Sequence, residues 1–272
     1  MRGEFIDLSG ARLYYYAAGT RGSGNPVVFI HGFPTSGHLW GDVVPLMPAG
    51  HRLVVLDLLG YGRSDRPLSR GVDAGAHADR VVALLDELRI DRACVVGHGF
   101  GGGVAQCIAV RHPTRVSHLC LVDSVGFDRW PIPRLRISRA LLPLATLLPP
   151  GVLLSRLRHE VERGYGDRTR AARSIDHYVR PFSGPEGAQA LAAHIRGISA
   201  ADRDVQMRLS LLDVPTAVVW GRRDRVLSLD TGRMLARQIP NATFDVIDDG
   251  NHFTPEETPR QVADTIAALL RR

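Results

Sequence analysis

The sequence predicts an α/β fold: a mainly parallel, eight-stranded sheet with helices on both faces and an inserted helical cap. Short β-branched or apolar runs alternate with helical patterns, as a sheet covered on both sides requires. That alternation fails once, between residues 127 and 212, where helical patterns punctuated by proline and glycine stand alone. At 272 residues the chain is long enough for one such domain with an insertion and a substantial core.

Strands are expected at residues 4–8, 13–17, 27–30, 53–56, 93–96, 119–122, 216–220 and 243–247. The first two flank Ser9 and Gly10 and read as a hairpin. From the third strand onward, runs such as VVFI, LVVL and LCLV carry no charge, as buried strands do. Helices fit residues 38–47, 74–88, 100–111, 229–238 and 259–270, where apolar residues recur with helical spacing. The division is then a core of residues 1–126 and 213–272, with a cap of residues 127–212 between strands six and seven. Ligands of open α/β sheets bind outside the carboxyl ends of the strands, so this cap would roof the pocket.

Composition excludes several classes. Hydrophobic residues make up 44% and charged residues 23%, ordinary for a globular protein. All 34 basic residues are arginine and the formal charge is +6, yet no basic stripe with interleaved aromatics suggests nucleic-acid binding. The stretch 141–154 is short and broken by Pro143, Pro149 and Pro150, so no membrane span is expected. The start, MRGEFIDLSG, does not read as a secretory signal, and Cys94, Cys107 and Cys120 read as buried thiols of a reducing compartment. A cytoplasmic protein, compatible with a homodimer, is the expectation.

The chemistry centres on GHGFGG, Gly97 to Gly102. In a G-x-nucleophile-x-G elbow the third residue carries the attacking side chain on a strained strand-to-helix turn. Here that residue is Gly99, which has none. The surroundings are those of an intact site. His31-Gly32-Phe33-Pro34 follows a strand, and the N–H groups of Phe33 and Phe100 suit an oxyanion hole. Asp224 and His252 each follow a later strand, in the chain order elbow, acid, histidine.

HGFP (31–34), DLLGYGRSDRP (57–67), GHGFGGGVAQ (97–106) and GNHFTPEETP (250–259) together resemble the α/β-hydrolase-fold superfamily over essentially the whole chain. The closest resemblance is to the epoxide hydrolase and haloalkane or haloacetate dehalogenase branch. That resemblance implies an aspartate at the elbow as the covalent nucleophile; serine relatives share much of the framework, and this chain has Gly99. Losing a protease nucleophile costs about a millionfold, near 8 kcal/mol.

Three readings remain. His252, oriented by Asp224, could act as general acid and base on a small, largely apolar carbonyl substrate, in lyase- or cyclase-like chemistry of secondary metabolism. It could activate water for hydrolysis, or the chain could be a hydrolase disabled at residue 99. It could also be a ligand-binding pseudoenzyme, although retention of Asp224 and His252 argues for catalysis. No zinc spacing, P-loop or dinucleotide fingerprint points to a cofactor or metal.

Secondary positions have two readings each. Asp123 is a rival acid for His252 or a turn residue, and His31 braces its loop. Trp40 and Trp130 line the pocket or pack, and His98, Ser36 and Ser124 read as structural. His177 and Tyr178 form a polar pair that could face the pocket from the cap. The cap arginines Arg156, Arg158, Arg163, Arg168, Arg170 and Arg173 suit a solvated face, with docking of an acidic carrier protein or anionic substrate as the alternative.

Overall fold

The computed structural model describes all residues except 1–2, 9, 21, 23, 67–70, 128–139, 141–149 and 198–202. Trp130 and most of the apolar stretch 141–154 therefore lie outside the described residues. Eight strands form one sheet: β1 (Glu4–Asp7), β2 (Arg12–Gly19), β3 (Val27–Ile30), β4 (Arg52–Leu56), β5 (Ala93–His98), β6 (Val116–Val122), β7 (Thr216–Gly221) and β8 (Ala242–Ile247). Their order is β1-β2-β4-β3-β5-β6-β7-β8. β1, β2 and β4 pair antiparallel and every later pairing is parallel. The β1–β2 hairpin closes at Gly10, whose positive φ of 80° suits glycine and whose N–H donates to Asp7.

The central strands β3, β5, β6 and β7 are buried along their whole length. Apolar runs such as VVFI dominate them, and their few polar residues, among them Ser117, His118 and Thr216, are buried as well, so they fit only between two helical layers. Those layers are α1 (Ala74–Glu87), α2 (Phe100–Arg111), α7 (Leu229–Gln238) and α8 (Pro259–Leu269). Asp73 caps α1 and Ser228 caps α7, each accepting a backbone N–H of the first turn. The helix expected over residues 38–47 does not form. Two 3-10 turns, Gly37–Trp40 and Val44–Leu46, take its place. Pro45 lacks the N–H that a continuous helix would need there.

Between β6 and β7 the described chain is helical: α3 (Pro150–Glu162), α4 (Arg168–Val179), α5 (Gly184–Gly197) and α6 (Arg203–Arg208). Parallel register places the ends of β3, β5, β6, β7 and β8 on one edge of the sheet. The inserted segment lies over that edge: His252 N–H donates to Gly164 O, and His194 Nε2 lies 3.3 Å from Gly60 O. Among the described residues, no helix is long and apolar enough to cross a membrane.

Backbone crowding fixes the turn after β5. A Cβ on Gly101 would overlap the carbonyl oxygens of Ile30 and His31, and one on Gly97 would overlap Gly101 O. Gly101→Ala should therefore lower the melting temperature by about 4 °C or more in thermal denaturation, and by more than Gly99→Ala does; the reverse order would contradict this packing. The estimate takes about 2 kcal/mol or more for displaced backbone and 2–4 °C per kcal/mol in a domain of this size.

Candidate active site

The edge formed by the strand ends collects the predicted chemical groups. Asp224 follows β7 and His252 follows β8. His252 Nδ1 lies 2.9 Å from Asp224 Oδ2, and the two side chains are 6% and 0% exposed. Asp224 Oδ1 accepts the N–H groups of Val226 and Leu227, at 2.7 and 2.9 Å. The carboxylate is thereby locked by its own turn, with one oxygen left for the imidazole. The Nδ1 bond places the proton on that nitrogen and leaves Nε2 as the free base.

Nε2 faces the elbow. Gly99 has φ 54° and ψ −121°, the strained turn that an elbow nucleophile occupies. A Cβ built there would lie 3.8 Å from His252 Nε2, with nothing nearer. Gly97, Gly101 and Gly102 contrast with it, since a Cβ on any of them would overlap its neighbours. Residue 99 is thus the elbow glycine with room for a side chain.

Two amides flank it. Phe100 opens α2, and Phe33 sits in the loop after β3; neither N–H has a hydrogen-bond partner among the described residues. Gly32 lets this loop press on the elbow, for a Cβ on it would meet His98 O at 2.8 Å and Phe100 N at 3.1 Å. His31 braces the loop: its Nε2 accepts from Leu58 N–H and its Nδ1 donates to Gly32 O, each at 2.9 Å. Burial lowers its pKa, which agrees with a neutral ring held in that tautomer.

Asp123 is placed elsewhere than beside the imidazole. Its carboxylate accepts Gly221 N–H at 2.8 Å and the Thr254 hydroxyl at 2.5 Å, tying β7 to the His252 loop. Burial, with the Asp224 carboxylate as the second cause, pushes its pKa well up. His177 and Tyr178 do not face the pocket as a pair. His177 is exposed and stacks on His38 with ring centres 4.1 Å apart, while Tyr178 is buried and donates to Glu256. Trp40 packs on Phe29 in the core. Ser124 bonds Val125 O and Gln106, and Ser36 caps a 3-10 turn. Of the cap arginines, Arg158 and Arg170 pair with Asp176 and Asp42. A hollow of about 560 Å³ between α3 and α4 is lined by Leu154, Arg158, Asp176 and Arg180. It contains none of the dyad or elbow residues, so the chemistry, and not this volume, locates the site.

Sequence reasoning missed what steadies the histidine. His98 Nε2 donates to His252 O at 2.8 Å. Tyr165 and Tyr178 both donate to the buried Glu256 carboxyl, and Tyr165 also stacks on Phe253 at 4.3 Å. These partners come from β5 and the cap, so no local pattern announces them.

With the geometry in place, comparison with known proteins is direct. The alpha/beta hydrolase fold family pattern matches residues 25–149. A solved α/β hydrolase fold protein from Burkholderia ambifaria superposes with a TM-score of 0.87 at 27% identity, covering 99% of this chain and 97% of that one. The 2-hydroxymuconate semialdehyde hydrolase of Pseudomonas sp. (strain CF600) is 28% identical, over 92% of this chain and 88% of its own. The epoxide hydrolase CorEH superposes with a TM-score of 0.79 at 25% identity, over 99% and 98% of the two chains. The chain therefore has the α/β-hydrolase fold, and its relatives support a place in that superfamily.

The two acids can be separated by substitution. Asp224→Asn should abolish the downfield Nδ1 proton resonance of His252 in NMR spectra, while Asp123→Asn should keep it. An acid whose folded pKa is raised contributes stability below its unfolded value, about 3.9, and loses it as pH rises. Asp123→Asn should thus gain stability relative to the native protein as pH rises above about 4. A stability difference that does not change with pH would contradict a raised Asp123 pKa.

Proposed function

We propose that this protein is an enzyme in which His252, oriented by Asp224, moves protons on a small, largely apolar carbonyl substrate without any covalent step at residue 99. The observation that carries the reading is the pairing of a bound Nδ1 with an Nε2 aimed at the side-chain-free elbow. A carbonyl oxygen held by the Phe33 and Phe100 amides gains stabilisation as it becomes an enolate. His252 Nε2 removes the neighbouring proton and returns it elsewhere, which suits elimination, ring closure or related lyase chemistry. The resemblance to epoxide hydrolases and dehalogenases describes the framework, and Gly99 removes that branch's covalent route.

A second reading is hydrolysis by water that His252 activates beside Gly99. The room beside Gly99, where even an added Cβ would stay 3.8 Å from His252 Nε2, favours it, as do relatives whose names are hydrolases. Under this reading ¹⁸O from solvent enters the product in a single turnover.

Proton exchange tests the first reading. In D₂O the protein should catalyse exchange of the α-protons of cyclohexanone or acetophenone, followed by NMR. His252→Ala should slow it on the order of 10²–10⁴-fold. Equal rates for the two proteins would overturn the proposal.

Refilling the elbow is a separate check. Gly99→Ser should hydrolyse p-nitrophenyl acetate with an initial burst, against background rates for the native chain. It should also lose stability on the order of 1–3 kcal/mol to the strained φ. No gain in hydrolysis would show that the elbow and oxyanion amides are not aligned.

A further inference from the structure

Beside the oxyanion amides the structure gathers polar groups that the proposed chemistry leaves unused. Tyr61, in the loop after β4, is wholly buried. Its ring lies 6.4 Å from Phe33, 4.3 Å from His194 of the cap and 6.2 Å from Phe182. His77, on the first turn of α1, is equally buried, 6.3 Å from Tyr61 and 5.8 Å from Phe100. The Tyr61 hydroxyl, both His77 nitrogens and His194 Nδ1 are shielded from solvent and have no hydrogen-bond partner among the described residues. Buried polar atoms are almost always paired, so four unpaired atoms on three touching side chains call for a ligand.

Their chemistry defines that ligand. Burial keeps both imidazoles neutral, lowering His77 well below the ordinary range and His194 to about 4. His194 Nε2 lies 3.3 Å from Gly60 O, so it carries the proton and Nδ1 is left as an acceptor. Neutral His77 offers one donor and one acceptor, and Tyr61 offers a hydroxyl donor. A carboxylate would set its negative oxygens against the lone pair of His194. A hydroxyl both donates and accepts, so its chemistry suits all three residues. The Phe33, Phe100 and Phe182 rings supply apolar walls around it. Arg66, whose Nε also has no partner among the described residues, lies close enough to depress His194 further, and one of its terminal N–H groups is spent on Gly62 O.

We infer that Tyr61, His77 and His194 form a subsite for a neutral hydroxyl on an aromatic or cyclic part of the ligand, the end that does not react. That this ligand is the substrate rests on the proposed function; the binding itself does not. A ¹⁹F NMR titration of the full chain separates the two. Fluorophenol (4-fluorophenol) should bind at least tenfold more tightly than 4-fluorotoluene or 4-fluorobenzoate. Tyr61→Phe, which removes one oxygen and little packing, should weaken fluorophenol binding about fivefold or more, and His77→Leu should do the same. Absence of fluorophenol binding, equal binding of the toluene, tighter binding of the benzoate, or unchanged affinity in Tyr61→Phe would each overturn the inference. Because the titration reads affinity alone, its failure leaves proton transfer by His252 untouched, and loss of proton exchange leaves the subsite untouched.

Discussion

The hydrogen bond between His252 and Asp224 is the interaction on which the site depends. It joins the loops after β7 and β8, and it fixes the tautomer of a ring whose other nitrogen faces the elbow. Much of the surrounding structure serves it. Asp224 is pinned by two backbone N–H groups, Asp123 ties β7 to the histidine loop through Thr254, and His98 holds the His252 carbonyl. From above, Gly164 of the cap accepts the His252 N–H. A histidine whose ring and backbone are both held in this way would lose little entropy in the proposed proton transfer.

The second constraint is steric. The elbow brings β3, β5 and α2 so close that Gly32, Gly97, Gly101 and Gly102 are each dictated by neighbouring atoms. Gly99 obeys a different rule: backbone conformation favours glycine there, while space does not demand it. The proposed non-covalent chemistry rests on this contrast between a specific framework and a permissive position. The positive φ that would burden a nucleophile burdens glycine little, so the chain keeps the turn without the usual strain.

The core was largely legible because its signals are local. Charge-free runs at β3, β5, β6 and β7 match the observed strands, and helix α2 begins directly after the elbow as its glycine pattern indicates. The helix expected over residues 38–47 failed for a local reason too, since Pro45 outweighs the apolar spacing. Motif order singled out Asp224, His252, Phe33 and Phe100, and the structure brings them to one edge of the sheet. Interactions that cross the chain were not legible. Glu256 meets Tyr165 and Tyr178 across 91 and 78 residues, and His77 meets the ring of Phe100 from another helix. The expectation of a His177–Tyr178 pair failed because adjacent helical residues point in different directions: one stacks outward on His38 while the other turns into the core.

A crystal structure of Gly99→Ala tests the arrangement most directly. The new methyl should stand about 3.8 Å from His252 Nε2, with the 2.9 Å bond from Nδ1 to Asp224 intact. An imidazole turned away from residue 99, or released from Asp224, would contradict the account.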